Sequence, residues 1–163
     1  MGQVGNLRRI GNPPCVDSGI NYWPIDNRPL WRPIVFNVLI SNTDDHLRNH
    51  AFLYAGNEGW RLSPAYDLNP SPVDLKPRIL STTIDMEDGT ASLDLAISVA
   101  GYFNLSLGQA RKIVGEVGAA VSRWRRVASR SGLRKAEIDR MASAFDHEDL
   151  KNAVKTAPVA RSI

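Results

Sequence analysis

Acidic, imidazole and amide side chains are concentrated in one part of this sequence. Residues 42–49 read N-T-D-D-H-L-R-N, and a further carboxylate, Asp67, follows in the segment S-P-A-Y-D-L at 63–68. Carboxylate and carbonyl oxygens are the ligands that Mg²⁺ prefers in proteins. The two segments therefore indicate a site that could bind a divalent cation together with phosphate groups.

The spacing of these residues is compatible with phosphoryl transfer. In protein kinases an aspartate orients the acceptor hydroxyl, an asparagine follows it in the pattern D-x-x-x-x-N, and a second aspartate helps to hold Mg²⁺. Asp44 and Asn49 have that spacing, and Asp67 follows a predicted hairpin. His46 stands where many protein kinases carry a lysine, and an imidazole there can still donate to a phosphate.

The same residues also have simpler interpretations. Aspartates at helix–loop junctions often cap the following turn, which applies to Asp44 and Asp45, and Asp67 could form an Asx turn. A metal-dependent hydrolase built on Asp44, His46 and Asp67 is a further alternative, although no cluster such as His-x-x-x-His accompanies them. Asp45 is interpreted as a cap or a solvated charge, and no function is assigned to His50.

Elements on both sides of these segments are expected to position them. The run Leu30–Ser41 predicts a helix with Pro33 in its first turn, where a missing N–H costs little. The polar residues 42–48 predict a loop. Short apolar runs at Ala51–Tyr54 and Trp60–Leu62 flank a Gly-Asn-Glu-Gly tetrapeptide, which indicates a β-hairpin.

Helical patterns dominate the second half of the chain. Ser92–Phe103 is a helix candidate, and the capping-box residues Ser106 and Gln109 begin a helix that is expected to reach Ser131. A last helix is expected over Ala136–Phe145. Gly115 and Gly118 weaken the long helix unless a neighbouring helix packs closely there, and Gly132 is its expected stop.

These patterns predict a mainly α (α+β) fold with a small β-hairpin at the site. Three parts are expected: an irregular N-terminal segment over 1–30, a helical lobe over 31–150 and a flexible tail over 151–163.

Two blocks of the sequence resemble one known family. The run F-N-V-L-I-S-N-T-D-D-H-L-R-N at 36–49 and the run G-W-R-L-S-P-A-Y-D-L at 59–68 are similar to those of the HipA-like toxin kinases, in the family's order. From Trp31 to Leu150 the chain resembles the C-terminal lobe of that family. The resemblance implies a bacterial, cytoplasmic serine/threonine kinase with a protein-kinase-like core that uses ATP and Mg²⁺.

The resemblance also implies roles for individual residues and partners. Asp44 matches the catalytic aspartate, and His46 matches a catalytic motif histidine near the transferred phosphate. Asn49 and Asp67 match the metal-coordinating pair that binds the nucleotide complex. The implied partners are a protein substrate and a small antitoxin of the HipB type, with DNA reached only indirectly through the antitoxin and with no membrane.

One departure from the family affects the expected activity. No strand–Gly-rich loop–strand pattern precedes Trp31, and Lys76 is the first lysine in the chain, so nothing upstream is expected to grip the α- and β-phosphates. A C-terminal lobe that is inactive in isolation is therefore expected. The alternative is a catalytically silent binding module that docks an antitoxin or another partner.

Composition and charge limit the compartment and the kinds of partner that the sequence predicts. The 163 residues include one cysteine, Cys15, which excludes an internal disulfide framework and indicates a reducing compartment. No secretory signal and no membrane-spanning stretch are expected. The net charge of +3 is too small to predict nucleic-acid binding. The basic cluster from Arg123 to Lys135 is interpreted as favourable charges at a helix C-terminus, and a basic patch for DNA carried by a partner is the alternative.

Overall fold

The computed structural model describes residues 27–56 and 59–156. The predicted mainly α fold with one small sheet is confirmed, and no helix in these ranges has both the length and the apolar character needed to cross a bilayer. Two 3₁₀ turns cover Leu47–Asn49 and Ala100–Phe103. The other elements are α1 (Arg28–Leu39), β1 (Phe52–Tyr54), β2 (Trp60–Leu62), α2 (Leu93–Ser98), α3 (Leu107–Val121), α4 (Trp124–Arg130), α5 (Lys135–Arg140), α6 (Ala142–Phe145) and α7 (Glu148–Lys155).

Helix α1 is the central element of the core. It begins at Arg28, so the end of the predicted N-terminal segment is already helical, and residues 1–26 lie outside the described ranges. Trp31, Val35 and Val38 are fully buried on one face, as the helical spacing of apolar residues requires. The indole Nε1 of Trp31 donates to the carbonyl of Ala96 at 3.1 Å, which joins α1 to α2.

Helix α3 packs against both α1 and α7. Its start confirms the predicted capping box, since Ser106 Oγ accepts from the Gln109 N–H at 3.3 Å and Gln109 Oε1 accepts from the Ser106 N–H at 2.8 Å. Gly118 meets α7 so closely that a Cβ there would lie 2.7 Å from the Cβ of Ala153 and 2.9 Å from its carbonyl carbon. This approach explains why a residue of low helix propensity stands inside α3.

The prediction of one helix from Ser106 to Ser131 is wrong, because α3 ends at Val121 and α4 begins at Trp124. Between them, the Ser122 hydroxyl donates to the Ala119 carbonyl at 3.0 Å, a bond that often bends helices. The bend brings Trp124 into a stacked contact with Phe145, with ring centroids 4.2 Å apart. Burial of two aromatic rings favours the interrupted geometry over a straight helix.

Two other predicted helices are also divided. Ser92–Phe103 consists of α2 and a 3₁₀ turn that meet at Val99, and Ala136–Phe145 breaks at Met141 between α5 and α6. Short helices of this kind follow the curved surface of the core, and local sequence patterns do not record such breaks.

The predicted fraying after Leu150 is wrong for residues 151–155, which belong to α7. Leu150 and Ala153 are buried, and they lie one helical turn apart on the face that packs against α3. Residues 157–163 of the predicted tail lie outside the described part of the chain.

The α3–α7 contact makes a substitution test possible. We expect Gly118→Ala to lower the free energy of unfolding by about 1–3 kcal/mol, because the new methyl group must displace the backbone of α7. Gly108→Ala is the matched control in the same helix, since a Cβ there meets nothing within 4 Å, and it should be neutral or stabilising by up to about 1 kcal/mol. Urea denaturation measures both, and equal effects of the two substitutions would contradict the proposed packing.

His147 should make stability depend on pH. Burial lowers the pKa of this side chain from its ordinary value of 6.5, and the charge of Arg78 adds to the effect. The ring Nδ1 accepts from the Leu150 N–H at 3.4 Å, which only an unprotonated nitrogen can do. The unfolded chain therefore binds the proton more readily, so stability is complete above about pH 6.5 and falls as the pH falls below it.

The variant His147→Asn retains a helix N-cap acceptor but cannot titrate in this range. The free energy of unfolding should fall more steeply between pH 7.5 and 5.5 in the wild type than in this variant. Urea titrations at both pH values measure the difference, and parallel pH profiles would show that His147 does not couple protonation to folding.

Candidate functional site

The segment that carries the candidate residues begins in a buried turn at the end of α1. Ser41 has a left-handed backbone with φ +52°, and it and the two residues that follow, Asn42 and Thr43, are almost completely buried. The Asn42 amide donates to the Asn37 side-chain oxygen at 3.1 Å, which ties the turn back to α1. The positive φ of a non-glycine residue turns the chain sharply out of the helix.

The outer side of this turn is held by backbone hydrogen bonds from later in the chain. The N–H of Ser71 donates to the Ser41 carbonyl at 3.1 Å, and the N–H of Ser81 donates to the Thr43 carbonyl at 2.9 Å. The N–H of Thr82 donates to the Asp45 carbonyl at 3.0 Å. Long-range contacts therefore fix the backbone on both sides of Asp44, the residue that the sequence predicts to be catalytic.

Asn49 and Asp67, the predicted metal ligands, lie side by side. The Asn49 amide Nδ2 donates to Asp67 Oδ2 at 3.2 Å across the hairpin formed by β1 and β2. Asp67 has a left-handed backbone with φ +57°, and its second oxygen accepts from the amide of Asn69 at 2.5 Å. Aspartate tolerates this conformation better than most residues, and strained backbone is often found at functional sites.

Asp44 is exposed, and no residue in the described ranges forms a hydrogen bond or ion pair with its carboxylate. Neither Asp44 nor Asp67 lines the small cleft beside Asn49, which is formed by α1, by Asp45 and His50, and by residues 62–66 and 68. The loop thus places Asp44 on the surface and Asn49 against Asp67. The catalytic role of Asp44 stays a prediction.

His46 begins the 3₁₀ turn that carries Asn49. Its carbonyl accepts from the Asn49 N–H at 2.8 Å, so the backbone of His46 helps to set the position of Asn49. The ring is half-buried, and its Nδ1 is buried without a hydrogen-bond partner among the described residues. The predicted contact of this ring with a phosphate stays a prediction.

Several residues at the site had no functional role in the sequence interpretation. The sequence interpretation gave Asp45 a capping or solvated role and gave His50 none, but their side chains form a hydrogen bond, with Nε2 and Oδ2 2.9 Å apart. The Tyr66 hydroxyl donates to the Arg48 carbonyl at 2.7 Å, which ties the residue before Asp67 to the residue before Asn49. Nothing in the spacing of these residues indicates such contacts, because each depends on how the loop and the hairpin meet.

The donor set at Asn49 and Asp67 fits Mg²⁺. Each side chain offers an oxygen, and the terminal amide of asparagine can present either its oxygen or its nitrogen to the same position through rotation about χ2. Magnesium usually takes one or two protein carboxylates and completes its shell with phosphate oxygens and water. No group of three or more histidine, cysteine, aspartate or glutamate side chains in the described ranges could hold a metal by itself.

Comparison with known proteins identifies the chain's relatives. The family described as "HipA-like C-terminal domain" matches residues 21–146. A Haemophilus influenzae protein described as "Putative kinase" is 34% identical over 70 residues, which are 40% of this chain and 20% of that protein. The chain therefore matches about a fifth of the length of this relative. No solved structure matches the chain.

The Tyr66 hydrogen bond can be tested separately from the fold. We expect Tyr66→Phe to change global stability by less than about 1 kcal/mol, since the bond is exposed, but to loosen the contact between Asn49 and Asp67. Shifts of the Asn49 side-chain amide signals in ¹H–¹⁵N NMR spectra measure the effect. Tyr102→Phe, at another exposed tyrosine, is the control and should leave those signals unchanged.

Proposed function

The chain belongs to the family of HipA-like C-terminal domains, and from this premise we propose that it is the C-terminal lobe of a serine/threonine-protein kinase. The observation that carries the proposal is the contact between Asn49 and Asp67 at 3.2 Å. Two oxygen-bearing side chains that are distant in sequence meet beside a loop that exposes a further carboxylate. This arrangement supports transfer of a phosphoryl group from ATP to a protein hydroxyl.

Asp44 would act on the acceptor. Its carboxylate is exposed and has no competing partner in the described part of the chain, so it can accept a hydrogen bond from a serine or threonine hydroxyl. Such a bond orients the hydroxyl oxygen toward the phosphorus and provides a place for its proton. The buried turn beneath Asp44 limits its movement, which matters because phosphoryl transfer depends largely on positioning.

Asn49 and Asp67 would hold the metal side of the nucleotide. A Mg²⁺ ion held by these two side chains would supply positive charge that offsets the negative charge built up during transfer. The chain supplies the two oxygen ligands, while His46 lies in the same loop and could donate to a phosphate. The bonds of Asp67 to both Asn49 and Asn69 orient its carboxylate before any ligand arrives.

The partners that we propose follow the family: a protein substrate and an antitoxin of the HipB type, in the bacterial cytoplasm. The charges support contact with DNA only through the antitoxin. Part of the basic helical region is neutralised within the chain, where Arg125 pairs with Asp146 and Lys135 pairs with Asp139. Such internal pairing lowers the positive potential available to a phosphate backbone.

Incubation with labelled ATP, Mg²⁺ and a serine-bearing protein tests the proposal. We expect no transfer by the 163-residue chain alone, because no lysine precedes Lys76 to grip the α- and β-phosphates. Transfer should appear when the N-terminal part of the Haemophilus influenzae relative is supplied, either fused to the chain or as a separate polypeptide. Asp44→Ala should then reduce transfer by at least about 10³-fold.

Asp94→Ala is the matched control, since Asp94 is an exposed aspartate in the first turn of α2, and it should leave transfer unchanged. Transfer that survives Asp44→Ala would show that the catalytic residue is misassigned. Tight antitoxin binding by a completed protein that transfers no phosphate would favour a catalytically silent binding module.

A further inference from the structure

A hydrogen bond between the side chains of Asp45 and His50 closes the loop that carries the candidate catalytic residues. Its two side chains are only 13% and 20% exposed, and their polar atoms are 2.9 Å apart. Asp45 directly follows Asp44, and His50 directly follows Asn49. The pair therefore joins the two ends of the segment that separates these residues.

The side chains of neighbouring residues point in different directions here. Asp44 is exposed whereas Asp45 turns inward, and Asn49 reaches Asp67 whereas His50 turns inward. Such alternation is expected where the backbone is extended, as it is at His50 with φ −120° and ψ 118°. A bond between the two inward side chains consequently limits how far apart the two outward side chains can move.

Packing alone does not hold this loop in place. A pocket of about 190 Å³, partly open to solvent, lies between the loop, α1 and the segment 80–84, and Asp45, Leu47 and His50 all contribute to its lining. Protein interiors resist movement because they are densely packed, and an unfilled volume removes that resistance. Thr82 already holds the Asp45 end of the loop through its hydrogen bond to the Asp45 carbonyl, so the His50 end is the part that has space to shift unless a specific contact prevents it.

We propose that the Asp45–His50 pair is a positioning device that sets the separation between Asp44 and Asn49. The pair touches neither substrate nor nucleotide in this proposal, and its importance for activity rests on the function proposed above. Loss of either partner leaves the other charge or ring partly buried without its bond, so each single change should release the loop. The same bond is lost in both single variants and in the double variant, so the double variant should release the loop no further than either single variant does.

Two measurements on the full 163-residue chain test the proposal. The first is NMR hydrogen exchange at the N–H groups of Asn49 and His50, which bond within the 3₁₀ turn. We expect about tenfold faster exchange in Asp45→Ala, His50→Ala and the double variant. Asp45→Asn retains an oxygen acceptor for His50 and should exchange as the wild type does. Val121→Ala, a core variant in α3, controls for a general loss of stability and should leave the loop exchange rates unchanged.

The second measurement uses Mn²⁺ alone as a paramagnetic probe. In the wild type, Mn²⁺ should broaden the signals of Asn49 and Asp67 together, since both would contact one ion. In Asp45→Ala and His50→Ala, the broadening at Asn49 should weaken relative to that at Asp67, since the effect falls steeply with distance from the ion, whereas Asp45→Asn and Val121→Ala should resemble the wild type. Such a difference between the two residues indicates a loss of positioning. A general loss of stability would instead reduce the Mn²⁺ broadening at Asn49 and at Asp67 to the same extent.

The outcomes distinguish this inference from the proposed function. Wild-type exchange rates in both alanine variants, or exchange that rises equally in Val121→Ala, would overturn the positioning role of Asp45 and His50. Absence of Mn²⁺ broadening at Asn49 and Asp67 in the wild type would instead contradict the proposed metal pair. The exchange rates would then still decide whether the Asp45–His50 hydrogen bond holds the loop.

Discussion

The site depends on a buried polar turn where α1 ends. Ser41, Asn42 and Thr43 are between 0% and 5% exposed, although each carries a polar side chain. Their backbone bonds are supplied by α1 and by distant residues, but Ser41 Oγ, Asn42 Oδ1 and Thr43 Oγ1 are buried without partners in the described part of the chain. Burying a polar atom costs about 1–3 kcal/mol where it finds no partner, so this polar turn depends on stabilisation by the rest of the fold.

The helical core offsets that cost. Helices α1, α3 and α7 pack together through small and apolar residues, and the contact of Gly118 with Ala153 brings α3 and α7 unusually close. Hydrogen bonds add to this packing, since Arg78 donates to the Val38 carbonyl at 2.9 Å and to the Asp149 carboxylate at 2.7 Å. The end of α1 is therefore held by both α7 and the segment before α2. A rigid helix end lets a polar loop emerge in one defined direction.

The site itself combines short-range and long-range contacts. The 3₁₀ turn positions Asn49 through a bond to the carbonyl of His46, which is local and encoded by neighbouring residues. Asp67 arrives from beyond the hairpin in a left-handed conformation and is held by Asn49 and Asn69. The proposed metal–phosphate ligand would need both groups at once, and the pairing of β1 with β2, together with the Tyr66–Arg48 hydrogen bond, brings them to the same place.

The sequence by itself determined the features that depend on near neighbours. The hairpin strands, the capping box at Ser106, the stop at Gly132 and the spacing of Asp44 and Asn49 are local, and helix caps and turns are set by residues within a few positions of one another. The convergence of Asn49 with Asp67 followed from the predicted hairpin and the family resemblance together. Where such rules apply, the predicted elements agree with the structure to within a few residues.

Only the tertiary structure decided where helices break and which polar residues pair. The helical run is interrupted before Trp124, whose ring stacks on Phe145, and α7 continues to Lys155 along the face where Ala153 meets Gly118. Each of these outcomes joins residues that are far apart in the chain. The Asp45–His50 pair is shorter in range, but its five-residue spacing matches neither a helix nor a strand, so periodicity could not reveal it. The physical reason is the same throughout, since burial and pairing energies depend on which surfaces meet in space.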